Sequence, residues 1–165
     1  MPASDYEYEV SRAIRNSANP ADNVVERCAG GGLRNANETD PHRIPIIREW
    51  EYAASRIIAF STVDSCLGAL QIADGDRLRG AHFSMYASGA QFDVVQFNAM
   101  MASAGFQLNL PILYFGGGVD DWRQGLGVNG YMGVGPFAHP VFDENQRAWI
   151  FEVKNGVFTY HSWRI

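Results

Sequence analysis

Between Glu49 and Trp163 the chain alternates short apolar runs with turn residues, the pattern of a domain built largely from strands. Residues 56–62, Arg-Ile-Ile-Ala-Phe-Ser-Thr, predict a buried strand. Residues 67–73 and 77–85 predict two more, joined by the turn Asp74-Gly75-Asp76. A further short strand is expected over 110–115. A closing hairpin is expected from 148–153 and 157–163, with Asn155-Gly156 the strongest hairpin signal in the chain. Two segments carry helical spacing instead. Ser4-Asp5-Tyr6-Glu7 reads as a capping box, with Tyr6, Val10, Ala13 and Ile14 on one face before Asn19-Pro20 ends the pattern. Over 92–105, Phe92, Val95, Ala99 and Ala102 line one face and Val94, Phe97 and Met101 another. That spacing predicts a helix apolar on most sides, hence a buried one, stopped by Gly105.

The segments between are polar or glycine-rich. Residues 17–45 predict a long loop region with room for a short helix over 21–27, and 119–146 a loop with short strand pieces. No internal repeat or shift of composition divides the chain, so residues 1–165 are expected to form one domain. Its order of elements predicts an α+β fold with a mixed or mostly antiparallel sheet and the helices against one face.

Composition narrows the function classes. With 165 residues and 47% apolar positions, one substantial core is available. A formal charge of −5 argues against nucleic acid or an anionic membrane surface as partner. No apolar run approaches the roughly 20 residues that span a bilayer, so no membrane insertion is expected. The first residues are acidic where a secretory signal is basic, which predicts a cytoplasmic protein or one delivered by a route that leaves no such signal. Cys28 and Cys66 make no disulfide framework, and neither has a partner at metal-ligand spacing, so no metal site is expected. Gly116-Gly117-Gly118 lacks the lysine of a phosphate loop and reads as a tight turn or a close backbone approach.

One pair of residues names a chemistry. Cys66 precedes one predicted strand and His82 lies on the next, roughly symmetric about the Asp74-Gly75-Asp76 turn, which places them near one another across the ladder. Taken singly, each has an ordinary structural reading: a free cysteine is a small hydrophobe, and a histidine in an apolar strand is a satisfied core residue. Taken together, an imidazole that accepts the thiol proton makes a nucleophile suited to acyl transfer. With ammonia as leaving group the substrate is a primary amide such as glutamine. The thioester then passes to water in deamidation, or to an amine in transglutamination. A third group must orient the imidazole. Ser61 and Thr62 are the nearest candidates, with Gln71 behind them.

The segment Ser65-Cys66-Leu67-Gly68-Ala69-Leu70, followed by Arg79-Gly80-Ala81-His82-Phe83, resembles the active-site signature of the chemoreceptor glutamine deamidase family, CheD. The apolar helix and then Ile112-Leu113-Tyr114-Phe115-Gly116-Gly117 follow in that family's order, as does the closing hairpin. The likeness covers about half the chain and extends to the superfamily that includes the catalytic domain of cytotoxic necrotising factor toxins. It implies a layered α/β/β sandwich and cofactor-free protein glutamine deamidation, with Cys66 as nucleophile, His82 as general base and acid, and Ser61 or Thr62 in place of the family's upstream threonine. The implied partner is a protein bearing a reactive glutamine, either a chemoreceptor or another target protein. A catalytically silent binding module on the same fold is the reading from a different class. The chain departs from the family pattern at Asp64, at Ser84-Met85-Tyr86, over 119–146 and throughout its first 45 residues, where a substrate would dock.

Overall fold

A computed structural model of the chain describes residues 7–8, 10–11, 34–35, 44–61, 63, 66–73, 75–83, 94–116 and 147–164. Nine strands and one helix are assigned among them. They are β1 (Arg34–Asn35), β2 (Ile46–Ile47), β3 (Glu51–Ser55), β4 (Ile57–Phe60), β5 (Leu67–Ala73), β6 (Arg77–Phe83), α1 (Val94–Ala104), β7 (Leu113–Phe115), β8 (Arg147–Lys154) and β9 (Val157–Arg164). The strands form a first sheet of order β1-β3-β6-β5-β7 and a second of order β2-β4-β8-β9. The β1–β3 and β2–β4 pairs are parallel and the other described pairs antiparallel, so the sheets are mixed and mostly antiparallel, as expected.

Side-chain alternation shows how the layers stack. Along β5 and β6, Leu67, Ala69, Ala81 and Phe83 pack with Phe97, Met100 and Met101 of α1. The alternate residues Leu70 and Leu78 pack with Phe60, Trp149 and Phe151 of the second sheet. The first sheet is thus covered on both faces, which is why its strands read as near-continuous apolar runs. On the far side of the second sheet, Ile57, Ala59, Ile150 and Trp163 pack with Val10. Residues 7, 8, 10 and 11 are helical, and Trp163 Nε1 donates to Ser11 Oγ at 2.6 Å. Helical residues therefore lie on both outer sides of the two sheets, where helices against one face were expected.

The hairpin signals hold. Gly75 (φ 71°) turns β5 into β6, while Asn155 (φ 53°) and Gly156 (φ 73°) turn β8 into β9 with the paired positive φ values of a tight hairpin. Gly105 (φ 80°) ends α1, and its carbonyl accepts from Arg79 Nη1, a cation at the helix's negative end.

Two further expectations need correction. The helix is not buried all round: Phe97, Met100 and Met101 face the sheet, whereas Val95 is 81% exposed and Ala99 and Ala102 are exposed as well. Small apolar residues on its outer side mimicked the pattern of a core helix. The region 17–45 is not wholly loop, because Arg34 and Asn35 pair with Glu51 and Tyr52. The strand expected over 56–62 is observed as β4, and a further strand, β3, precedes it in the other sheet, the two parted only by exposed Arg56. No glycine or proline marks that crossing. The expected N-terminal helix beyond residues 7, 8, 10 and 11, the short helix over 21–27, the segment 119–146, Cys28 and Gly117-Gly118 lie outside the described residues.

Candidate functional site

His82 stands next to last in β6, and the register sets it opposite Gly68 on one side and Glu51 on the other. Cys66 is the bend residue that leads into β5, two positions before Gly68. The pairing is therefore diagonal. Because side chains alternate with a period of two, an offset of two keeps both residues on one face, whereas an offset of one would have separated them. That face is the inner one. Cys66 packs in the cluster between the sheets with Val63, Phe60 and Phe115, and the His82 ring lies 6.4 Å from that of Phe60.

The imidazole is held from the second sheet. His82 Nδ1 lies 3.3 Å from the carbonyl oxygen of Ile47 and 3.5 Å from Ser61 Oγ. Ser61 in turn donates from its backbone N–H (3.1 Å) and its hydroxyl (3.4 Å) to the same carbonyl. A carbonyl only accepts, so the contact with Ile47 puts the ring proton on Nδ1 and leaves the lone pair on Nε2. Nε2 is buried and has no hydrogen-bond partner. The ring is completely buried, and this desolvation lowers its pKa from 6.5 to about 4 against the smaller raising effect of the Ile47 hydrogen bond. At neutral pH His82 is an uncharged imidazole with a free lone pair.

The thiol has a different neighbour. Cys66 is only 6% exposed, and its Sγ donates to Glu49 Oε1 at 3.8 Å. Glu49 belongs to the turn between β2 and β3. There Trp50 adopts φ 57°, a left-handed conformation rare for a bulky residue. The turn is fixed on two sides: Trp50 N–H donates to the His82 carbonyl at 2.7 Å, and its ring meets Phe83 edge-on at 5.9 Å. The same turn thus pins the His82 backbone and delivers a carboxylate to the thiol. Gly116 closes the site from β7. A Cβ added there would lie 2.5 Å from Val63 Cγ1 and 2.9 Å from the Cys66 carbonyl oxygen. This is the close backbone approach that the glycine run predicted.

Of the residues singled out from the sequence, Cys66, His82 and Ser61 are brought to one end of the inter-sheet layer. Thr62 lies outside the described residues. Gln71 is excluded as the orienting group. It points to the helix side of the first sheet and exchanges hydrogen bonds with the backbone of Gln107 at 2.8 and 3.0 Å. Sequence reasoning missed the Ile47 carbonyl, Glu49 and Glu51. A main-chain carbonyl leaves no residue signature. Glu49 lies in a turn with no turn-forming residue and Glu51 follows it, so nothing in the pattern brought them to the hairpin. Glu51 is nonetheless 4% exposed and is the cross-strand partner of His82, a buried carboxylate beside the imidazole's strand.

Set against protein-family models, curated proteins and solved structures, the chain matches none. No helix among the described residues is long and apolar enough to cross a membrane.

Proposed function

We propose that the protein is a cysteine hydrolase that deamidates a glutamine side chain on another protein, with Cys66 as nucleophile and His82 as general base and acid. The observation that carries this reading is the state of His82: Nδ1 is occupied by the Ile47 carbonyl and Ser61, and the lone pair on Nε2 is unpartnered on the same sheet face as Cys66. An imidazole oriented through Nδ1 with a free Nε2 is the arrangement that accepts a thiol proton. The order of motifs, which resembles that of the chemoreceptor glutamine deamidases, adds the substrate class, and two stacked sheets with α1 packed on the outer face of the first are compatible with that family's layered fold.

In the reaction, the Cys66 proton passes to Nε2 and the thiolate attacks the carboxamide carbon. The imidazolium then protonates the leaving nitrogen, ammonia departs, and a thioester remains. Water, deprotonated by the neutral imidazole, hydrolyses the thioester to glutamate and restores the thiol. Ser61 serves as the hydroxyl that orients the ring.

Incubation with chemoreceptor signalling domains and with glutamine-bearing test peptides is expected to release ammonia and add about 1 Da per converted glutamine. Cys66→Ser is expected to abolish both while leaving the circular dichroism spectrum unchanged. Retention of full activity in that variant would remove Cys66 from the mechanism. The near-complete burial of both side chains favours one other reading, a binding module with silent chemistry. It predicts no ammonia release from any substrate and an ordinary alkylation rate at Cys66.

A further inference from the structure

The thiol proton in this structure is directed at a carboxylate, although the base that the reaction requires is an imidazole on the neighbouring strand. We propose that Glu49 is a positioning residue of the site, which restrains Cys66 as its thiol in the resting protein and releases it when the site is engaged. Three observations lead there. Cys66 Sγ donates to Glu49 Oε1 at 3.8 Å. The fully buried His82 Nε2, the acceptor the mechanism needs, has no partner. The turn that carries Glu49 is built for position, since Trp50 takes a left-handed backbone conformation and its N–H is fixed to the His82 carbonyl at 2.7 Å.

The physical consequence is a nucleophile that is assembled but held back. A carboxylate beside the sulfur opposes a negative charge there, and the S–H···O contact holds the thiol proton at Glu49 rather than at the imidazole nitrogen that has no partner. For attack, the S–H must swing from Glu49 to His82 Nε2. One hydrogen bond breaks and another forms, with no change of charge. Transfer of the proton to Nε2 then gives thiolate and imidazolium. The restraint deepens the Cys66–His82 reading and depends on it only for its role in turnover, because the effect of Glu49 on the thiol can be read without any substrate.

The test is the rate of Cys66 alkylation by iodoacetamide at neutral pH, followed on the Cys66 peptide by mass spectrometry. In Glu49→Gln, which keeps an oxygen acceptor but loses the charge, the rate is expected to rise about 3- to 10-fold over the unaltered protein. Glu49→Asp, one methylene shorter, is expected to give a smaller rise and serves as the second variant should the first fail to fold. An unchanged rate in a folded variant would overturn the restraint. A slower rate would overturn it too, by showing that the carboxylate draws the proton off the sulfur and activates it. Ammonia release is measured in parallel: faster alkylation supports the restraint whether or not ammonia appears, whereas absence of ammonia from every protein counts against the deamidase reading alone.

Discussion

At the scale of single residues, the site's behaviour with pH is set by His82. Its pKa is about 4 in the folded protein and 6.5 in the unfolded chain. Between those values the unfolded chain binds a proton that the folded protein does not, so stability falls as pH is lowered through that window. The contribution is complete above pH 6.5 and exhausted below about 4, and it amounts to roughly 3 kcal/mol at most. Urea denaturation across pH 4–7 is expected to show this acid limb in the unaltered protein and a flatter one in His82→Gln. Identical limbs in the two proteins would mean that the ring is not held neutral by burial. Catalysis should carry the same signature: with His82 as base, the acid limb of kcat/KM falls nearer pH 4 than the 6.5 of a solvated histidine.

At the scale of elements, the packing between strands decides which substitutions the site end tolerates. Gly68 lies between Cys66 and the body of β5, opposite both His82 and Phe115. A Cβ added to it would lie 2.2 Å from Phe115 Cζ. The Phe115 ring cannot yield easily, because it also meets Phe60 at 4.8 Å, Phe151 at 4.9 Å and Trp149 at 5.2 Å. Gly68→Ala is therefore expected to cost about 1–3 kcal/mol. Adding Phe115→Leu to it should recover part of that loss, and a double-mutant cycle by urea denaturation is expected to give a favourable coupling of about 1 kcal/mol. Additive costs would show that the ring is not what excludes the methyl group. Much of this level was legible in the sequence. Asp74-Gly75-Asp76 and Asn155-Gly156 marked both hairpins, because a tight turn demands residues that accept positive φ. Cys66 and His82 could be brought together because a hairpin register is nearly symmetric about its turn. The β3–β4 crossing was not legible, since Arg56 changes sheets without any turn-forming residue. With it went Glu49 and Glu51, whose place at the site depends on where β3 begins. Val95, Ala99 and Ala102 misled in the opposite direction, because small apolar residues on a helix's outer side look like core when only spacing is read.

At the scale of the whole molecule, the two ends of the sheet pair divide the work. Glu49, Ser61, Cys66, His82 and Gly116 all stand at or beyond the strand ends that lie away from the hairpin turns, so the candidate site is assembled from strand termini. The opposite end is closed. There Arg56 carries the chain from β3 to β4, its carbonyl accepts from Val153 N–H at 3.1 Å, and its guanidinium pairs with Glu152 at 2.8 Å. The two hairpin turns are clasped there as well: Asp76 in the first accepts from Asn155 N–H at 3.1 Å and Gly156 N–H at 3.2 Å in the second. Successive N–H groups in a left-handed turn form a small concavity suited to a carboxylate, so Asp76 ties one sheet to the other through backbone donors. The clasp is solvent-exposed, and Asp76→Ala is expected to cost only about 1 kcal/mol in urea denaturation. Because the clasp lies at the far end of β5 and β6 from Cys66 and His82, the same variant should keep its rates of ammonia release and of Cys66 alkylation. A loss of stability together with a changed alkylation rate would mean that the sheets shift as one body when the clasp opens, and that the closed end sets the geometry of the site.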